Sequence, residues 1–422
     1  EMTSSLVGSE MCIRDSRYCV LYFIFKGKEG LKMKKWKKLA SAAMAAMMCA
    51  ALLTGCGGEK KQADSGDTIK VGAAFELTGN VANYGKSINE GFKLAVDELN
   101  KNGGVNGKKI SVVESDNKSE PAESGNAVTK LITQDKVVAV VGPATSGCVN
   151  AATPITTANK VPHIAPAATA PSITVENGKV KDFVFRACFI DPFQGQVMAV
   201  FADKTLKVKN VAIFYDSSSD YSKGLAEVFQ KTLEGKGGKI VAKEAFLAKD
   251  VDFKSALTKL KASNPEAIYV PGYYEEVSKI IKQAREIGIT CPMLGSDGWE
   301  SPKLAEIAGK DALKGCYYVS AFNAKDEDKS VQDFIKKFKE KYQKDPDIFA
   351  MQGYNAGLIL ADALKRAGTT DGTKLAKAIA ETKDLAVASG KLTFDANHNP
   401  VMPALIIGLE TGTPTLVEKI SL

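Results

Sequence analysis

Histidine and the short motifs of common enzymes are scarce in this chain. Only two histidines, His163 and His398, occur among 422 residues, and neither is arranged with a serine or cysteine nucleophile. No G-x-S-x-G is present, and no G-x-G-x-x-G opens a helix after the first strand. Residues 142–147 have the glycine spacing of a phosphate-binding loop, but Cys148 replaces its obligatory lysine. We therefore expect a protein that is not an enzyme and that holds no cofactor.

An excess of one charge is also missing once the first 55 residues are set aside. That segment holds nine of the 56 Lys/Arg and four of the 49 Asp/Glu residues, which leaves 47 basic against 45 acidic residues. The remainder has no basic stripe that would suit nucleic acid and no acidic tail. We expect no nucleic-acid partner.

Residues 33–56 carry a targeting signal. Met33 is followed by four lysines, then by an Ala/Met-rich apolar run at 39–53, and finally by Leu-Thr-Gly-Cys ending at Cys56. The run is too short to span a membrane comfortably, and the whole pattern resembles a bacterial lipoprotein signal with its lipobox. We expect Cys56 to carry the lipid and to be the first residue of the mature protein.

This interpretation divides the N-terminal part of the chain. Residues 33–55 are the predicted signal peptide, and the polar residues 56–67 are a flexible tether. Residues 1–32 precede a plausible start and form no recognisable element, so we interpret them as an artefact or untranslated upstream sequence. The predicted location is extracytoplasmic: the protein would be anchored by its lipid to the bacterial cell membrane and would lie at the outer face of the plasma membrane or in the periplasm.

The cysteine spacing favours neither a metal site nor a fixed disulfide. None of the eight cysteines forms a C-x-x-C pair, so we expect no metal. Export would permit disulfides, but spacing alone cannot assign a pairing. Four cysteines remain outside the N-terminal segments, and we expect free buried thiols there: Cys148, Cys188, Cys291 and Cys316.

One stretch, 141–169, organises the rest of the chain. The apolar run Val137 to Val141 is typical of a buried parallel strand, and the loop after it contains Ser146 and precedes an Ala/Thr-rich helix at 149–160. Such a loop leaves backbone N–H groups free at the positive end of a helix. A second loop with Thr169 follows the next strand, so the pair suits a small zwitterion; an ordinary α/β fold with two Ala-rich turns is the alternative.

Strands and helices alternate twice along the chain. The first series runs from Thr68 to Val141 and the second from Asn210 to Leu294, which predicts two doubly wound parallel units. From Phe322 onward helical patterns dominate until short strands close the chain. Ligands of such sheets bind at the carboxyl ends of the strands, and a cleft between two domains is a common site.

Six short motifs occur in one order over residues 68–422. They are L-T-G-x-x-A-x-Y-G at 77–85, D-E-L-N-x-x-G-G-V-x-G at 97–107, V-G-P-x-x-S at 141–146, A-P-A-A-T-A-P at 165–171, Y-x-x-G-L at 221–225 and G-S-D-G-W at 295–299. With these motifs the chain resembles the branched-chain amino acid binding proteins of ABC transporters, in the periplasmic-binding-protein type I group. Glu76 is a departure, since relatives often have proline there.

The resemblance implies two Rossmann-like α/β lobes joined by a three-strand hinge. Lobe I would comprise 68–188 with 322–393, and lobe II would comprise 189–321 with 394–422. The two lobes would close on a ligand held between them.

The resemblance also implies polar contacts to an amino acid. Ser146 would hold the α-carboxylate, while Thr169 and the Ala167 carbonyl would receive the α-ammonium. Tyr221 would add a hydroxyl, and Asp297 would be the acidic partner of the ammonium. The alternatives are a helix cap for Ser146 and a turn residue before glycine for Asp297.

Large aromatic residues would form the pocket for the ligand's side chain. Tyr84, Tyr273, Trp299 and Phe349 are the candidates, and Ala168 would belong to the same binding loop as Thr169. Core packing is the alternative for each aromatic residue.

The predicted function is capture of a Leu/Ile/Val-type amino acid by lobe closure and its delivery to the permease of an ABC importer. We expect a monomer attached to the membrane by its lipid. An aromatic amino acid or a small amide or carboxylate is an alternative ligand. A sensory receptor is an alternative class, but it would normally continue into a transmembrane helix and a signalling module, and the chain ends at Leu422 with neither.

Overall fold

The computed structural model describes residues 68–422. The predicted segments 1–32, 33–55 and 56–67, with the lipidation site Cys56, lie outside the described residues. Within the described range the chain forms two large β-sheets flanked by helices. None of the helices in this range combines the length and apolar character needed to cross a bilayer.

The strands are numbered here in chain order. They are β1 Thr68–Phe75, β2 Lys109–Asp116, β3 Val140–Val141, β4 His163–Ala165, β5 Val175–Glu176, β6 Lys179–Val180, β7 Val184–Arg186, β8 Asn210–Asp216, β9 Lys239–Phe246, β10 Ala267–Tyr269, β11 Met293–Gly295, β12 Cys316–Ser320, β13 Leu385–Val387, β14 Gly390–Leu392, β15 Ala404–Gly408 and β16 Thr415–Ile420.

The α-helices are numbered in the same way. They are α1 Ala82–Lys101, α2 Pro121–Thr133, α3 Ser146–Ala158, α4 Asp191–Lys204, α5 Asp220–Gly235, α6 Lys254–Ala262, α7 Tyr274–Glu286, α8 Pro302–Ala308, α9 Lys329–Tyr342, α10 Ile348–Ala367 and α11 Gly372–Ala380. Short 3₁₀ turns occupy Pro171–Ile173, Asp297–Trp299 and Lys310–Leu313.

The first sheet is entirely parallel, in the order β2-β1-β3-β4-β7. Strand β1 lies inside it, and its last five residues are buried, as expected for a strand covered by helices on both faces. Crossover connections are needed between parallel strands, and α1, α2 and α3 supply them. All five strands therefore end at the same edge of the sheet.

Helices α1 and α10 pack at the closest distance that backbones allow. A Cβ atom added at Gly91 would lie 1.8 Å from the Ala350 carbonyl oxygen, and one added at Gly353 would lie 2.1 Å from that of Ile88. Only glycine fits at these two positions, because any side chain would collide with backbone. This crossing attaches α10 firmly to the first sheet's helical layer.

The second sheet is mixed, in the order β16-β15-β12-β11-β10-β8-β9. Its five strands from β12 to β9 are parallel, whereas β15 and β16 add an antiparallel edge. The core on one side of this sheet contains Phe214, Ile268, Met293 and Trp299 within or beside its strands. The polar loops again follow the carboxyl ends of the strands.

The chain passes between the two sheets three times. It crosses after β7 into the second sheet, after β12 into the helices packed on the first sheet, and after β14 into β15. The predicted α/β fold with two doubly wound units is confirmed. The limits assigned to the lobes, 68–188 with 322–393 and 189–321 with 394–422, stay a prediction.

Several elements differ from the sequence prediction. Strands β7 and β12 and helix α8 were not predicted, and α3 begins at Ser146 rather than at Val149. The apolar spacing used to find helices starts only after the first turn, which here consists of small and polar residues.

Candidate functional site

A small, partly open cavity lies between the carboxyl ends of the two sheets, with about 250 Å³ of space that no protein atom fills. Residues that follow strands of both sheets line it, together with the starts of α1 and α10. The lining residues are Tyr84, Ala144, Thr145, Ser146, Ala167, Thr169, Tyr221, Tyr273, Asp297, Gly298 and Phe349. Eight of these belong to the ten ligand-binding residues predicted from sequence, which the fold thus brings together.

Trp299 does not line this cavity, which corrects the sequence prediction. Its side chain is completely buried in the core of the second sheet, and its indole Nε1 donates a 2.9 Å hydrogen bond to the Val270 carbonyl. The ring lies against Gly295, where an added Cβ atom would be 2.1 Å from it. The core alternative therefore describes Trp299, which also borders a larger cavity on the other side of the turn.

Ala168 is the second predicted residue that does not reach the cavity. Its carbonyl accepts a 3.0 Å hydrogen bond from Arg186 Nη1 and a longer one from the Cys188 thiol. Arg186 is fully buried and also donates to the Ala170 carbonyl at 2.9 Å. The guanidinium thus supports the 167–170 loop from the side opposite the cavity.

Ser146 begins helix α3 and lies at the cavity wall. Its hydroxyl accepts a 3.2 Å hydrogen bond from the Ala170 N–H, so Ser146 connects the two loops that the sequence singled out. It does not cap the helix, since Thr145 occupies that position without a side-chain capping bond. The helix start and the hydroxyl together suit an anion.

The first N–H groups of this loop are not free, contrary to the prediction. Glu76 Oε2 accepts from the Ala144 N–H at 2.9 Å, and Oε1 accepts from the Thr145 N–H and hydroxyl at 3.0 Å. Local patterns could not indicate this contact, because Glu76 lies about 70 residues upstream. The anion site therefore begins at Ser146 rather than at Ala144.

Asp297 forms the acidic side of the cavity. Its Oδ1 accepts hydrogen bonds from the Tyr221 hydroxyl at 2.8 Å and from Gln194 Nε2 at 3.1 Å. Gln194 Oε1 in turn accepts from the Asp297 N–H at 3.0 Å, which fixes the carboxylate's orientation. Burial raises the pKa of Asp297 to about 6, although the bonds from Tyr221 and Gln194 oppose the shift.

A second carboxylate lies near this acidic side and was not predicted. Asp191 is completely buried at the start of α4, and neither of its oxygens has a hydrogen-bond partner. Its backbone N–H donates to the Thr169 carbonyl at 3.0 Å. Burial raises its pKa well above the usual value, and the nearby charge of Asp297 adds to the effect. The positive charge of the buried Arg186 opposes this rise, so Asp191 already has a cation nearby.

Aromatic rings form the wall between the two polar sides. Tyr84 contacts Phe349 at a centroid distance of 4.3 Å and Tyr273 at 5.9 Å, and Tyr221 stacks on Tyr273 at 5.0 Å. The Tyr84 hydroxyl donates to the Gly298 carbonyl, and the Tyr221 hydroxyl is engaged by Asp297. With these hydroxyls satisfied, the wall is largely apolar.

Direct contacts across the cleft hold the two sheets' edges together. Asn83 Nδ2 donates to Ser301 Oγ at 3.2 Å, and the Tyr274 N–H donates to the Tyr84 hydroxyl at 3.2 Å. At the rim, the Lys249 ammonium pairs with Glu120. The structure therefore represents a closed form.

No group of three or more His, Cys, Asp or Glu side chains within residues 68–422 is placed to hold a metal ion. The chemistry of the cavity consists of a helix start and hydroxyl on one side, the Asp297 carboxylate on the other, and aromatic faces between them.

Comparison with known proteins agrees with this arrangement. Residues 68–413 match the family model described as periplasmic binding protein. The chain is 32% identical over 363 residues to the leucine-, isoleucine-, valine-, threonine- and alanine-binding protein of Pseudomonas aeruginosa. The matched region covers 86% of this chain and 93% of that relative.

Two solved structures are similar over most of the described chain. A leucine-binding protein from Thermotoga maritima has a TM-score of 0.79 at 35% identity, covering 83% of this chain and 98% of that one. A branched-chain amino acid transporter substrate-binding protein from Streptococcus pneumoniae, in complex with isoleucine, has a TM-score of 0.77 at 39% identity, covering 84% and 100%. The chain therefore belongs to the periplasmic binding protein family, as an extracytoplasmic solute-binding protein and not an enzyme.

Proposed function

We propose that this protein binds a branched-chain amino acid, leucine, isoleucine or valine, between two closing lobes. The observation that carries the proposal is the opposite chemistry at the two sides of one small cavity. Ser146 and the start of α3 favour a carboxylate, whereas Asp297 favours an ammonium group. An α-amino acid carries both groups on one carbon.

The aromatic wall supports an aliphatic side chain. Tyr84, Tyr273 and Phe349 present ring surface, and the Tyr84 hydroxyl is already bonded to Gly298. A polar ligand side chain would lose its water against these ring faces, which is costly unless it finds a hydrogen-bond partner. The names of the relatives from P. aeruginosa and S. pneumoniae support the same ligand class.

In this proposal, delivery follows from closure. A ligand that contacts residues of both sheets stabilises only the closed form, so binding shifts the population toward it. The closed monomer then docks on the permease of an ABC importer, and the lipid on Cys56 keeps it near the membrane. The lobes are 68–188 with 322–393 and 189–321 with 394–422, as the resemblance implies.

Calorimetric titration tests the ligand assignment. The protein is first unfolded and refolded to remove any carried-over ligand, and is then titrated with the common L-amino acids. We expect the tightest binding for leucine, isoleucine or valine. Two truncated analogues are matched controls: 4-methylpentanoate lacks the ammonium of leucine, and 3-methylbutylamine lacks its carboxylate.

The outcomes separate the parts of the proposal. Each analogue should bind at least about 100-fold more weakly than leucine, since a buried polar group would lose its partner. Equal binding of either analogue would overturn the assignment of that side of the cavity. Binding of only aromatic or polar amino acids would overturn the assignment of the aromatic wall.

The anchor is tested by fractionation of cells. The variant Cys56→Ser should move the protein from the membrane fraction to the soluble fraction, whereas Cys49→Ser should not. Retention of the Cys56→Ser protein in the membrane would contradict the lipid assignment.

A further inference from the structure

Glu76 is an acidic residue in a buried position, which is unusual. It directly follows β1 at the edge where the cavity lies, and its side chain is completely buried. No lysine, arginine or histidine forms a salt bridge with it in the part of the chain that the structure describes. Its charge is instead met by the two N–H groups and the hydroxyl of Ala144 and Thr145.

These contacts fix the loop that carries the anion site. Ala144 and Thr145 both line the cavity, and Ser146 follows them at the first position of α3. The backbone of Glu76 is also closely packed, because a Cβ atom at Gly85 would lie 2.3 Å from the Glu76 carbonyl oxygen. A rigid backbone contact thus extends from α1 through Glu76 to the start of α3.

We propose that Glu76 is a positioning residue: it holds the loop that binds the ligand's carboxylate, and it takes up a proton when that carboxylate binds beside it. This inference rests on the proposed function. A bound carboxylate at Ser146 and the carboxylate of Glu76 would share the positive end of one helix. Two like charges in a closed, dry space favour protonation of one of them.

The groups around Glu76 support Glu76 as the group that takes up the proton. Burial raises the pKa of Glu76 above its usual value, while the bonds from Ala144 and Thr145 oppose the rise. The titratable neighbours are the Cys148 thiol on α3 and the Tyr273 hydroxyl before α7, and burial raises the pKa of both. Both neighbours are therefore neutral at ordinary pH, which leaves Glu76 to take up the proton.

Ligand binding should change the protonation of Glu76 and of Asp297 in opposite directions. An ammonium bound beside Asp297 lowers the pKa of that carboxyl, so Asp297 releases a proton near and below pH 6. Glu76 acts in the opposite direction, because a carboxylate bound beside it raises its pKa. The difference between wild type and a variant without the Glu76 charge isolates the uptake.

The test is calorimetry with L-isoleucine between pH 5 and 8, in pairs of buffers with different ionisation enthalpies. Wild type, Glu76→Gln and Glu76→Asp are compared, with circular dichroism as a check of folding. We expect wild type to take up more protons than Glu76→Gln, by up to one per ligand at some pH in this range. Glu76→Asp keeps the charge but is too short for both N–H groups, so it should lose about tenfold or more in affinity.

The results distinguish two kinds of failure. If wild type does not bind L-isoleucine, the proposed function fails and this inference fails with it. If wild type binds but its proton count equals that of Glu76→Gln at every pH, only the inference about Glu76 fails. Should Glu76→Gln not fold, an affinity of Glu76→Asp for L-isoleucine equal to that of wild type would overturn the inference.

Discussion

Asn80 and Glu276 connect the two sides of the cleft: the Asn80 amide Nδ2 donates a 2.8 Å hydrogen bond to Glu276 Oε1. Asn80 lies before α1, beside the first sheet, and Glu276 lies in the first turn of α7, beside the second. The same Glu276 oxygen accepts from the Lys249 N–H at 2.8 Å. The carboxylate is buried, so the bond forms where water is largely excluded.

The variant Asn80→Ala should therefore weaken ligand binding about tenfold. A hydrogen bond to a charged group contributes about 1.5–3 kcal/mol, and this one joins the two halves only when the cleft is closed. Isothermal titration gives the change in Kd, and small-angle scattering reports whether the liganded protein is less compact. As a control, Asn150→Ala removes a 3.0 Å bond to Ser172 on the first sheet's side alone and should leave the Kd unchanged. Equal effects of both variants would contradict the prediction.

The variant Asp297→Asn should stabilise the ligand-free protein at neutral pH and weaken ligand binding. Burial raises the folded-state pKa from 3.8 to about 6, so the free energy of unfolding of wild type should fall as pH rises from about 4 to about 6. The fall is on the order of 3 kcal/mol at most. Denaturant unfolding at pH 4, 6 and 8 measures it.

Asparagine removes the charge and keeps an oxygen for Tyr221 and Gln194, so the pH-dependent fall should shrink in the Asp297→Asn protein. Its affinity for the amino acid should drop by about 2–4 kcal/mol, because the ammonium loses its charged partner. The exposed Asp311→Asn is a control for both measurements. A stability profile of Asp297→Asn that matches wild type would show that Asp297 does not titrate as described.

Glu300 should cause a second pH-dependent change in the free energy of unfolding, at higher pH than Asp297. Its Oε1 accepts from the Ile348 N–H at 2.8 Å and its Oε2 from the Ser320 hydroxyl at 2.7 Å. Burial, followed by the neighbouring charge of Asp347, raises the pKa of Glu300 from 4.5 to about 8. The folded protein thus retains this proton longer than the unfolded chain, and stability should fall as pH rises from about 4.5 to about 8.

The variant Glu300→Gln should reduce this fall, so its melting temperature should exceed that of wild type most clearly above pH 8. Glutamine can still accept from the Ile348 N–H and can donate to Ser320. Thermal melts from pH 5 to 9 are the measurement. Parallel curves for wild type and variant would contradict the shifted pKa.

Two glycine-to-alanine changes should have opposite effects on stability. Gly295→Ala forces its methyl group into the Trp299 ring, 2.1 Å away, and should cost about 3 kcal/mol or more. Gly224→Ala, inside α5, meets no atom within 4 Å and should stabilise the protein by about 0.5–1 kcal/mol. Denaturant midpoints compare the two. Similar midpoints would mean that the core around Trp299 can move aside.

Where local motifs determine the contacts, the sequence predicted which residues meet at the cavity. Ser146 and Thr169 follow strands whose ends the parallel topology must bring together, so their proximity was predictable. Tyr221 and Asp297 came through the family resemblance, and the fold brings them within 2.8 Å of each other. These residues lie in or beside short segments that are recognisable on their own.

The contacts that the sequence did not reveal join segments far apart in the chain. Glu76 meets the loop about 70 residues later, and Gln194 meets Asp297 103 residues later. Trp299 was assigned to the pocket through the family resemblance, but the 3₁₀ turn that contains it directs successive side chains to different sides. Periodicity carries no information about such pairings, since they depend on how two sheets are placed.

The buried thiols of the described chain have a practical consequence. Cys148, Cys188 and Cys316 are buried, Cys291 is partly buried, and all four are free. Burial raises the pKa of each one, so little reactive thiolate is present at neutral pH. This part of the molecule therefore needs no disulfide formation when it folds outside the cytoplasm. A cysteine introduced at the exposed rim, for example at Val251, could be labelled selectively with a fluorophore, turning closure into an optical signal while the native thiols stay in place.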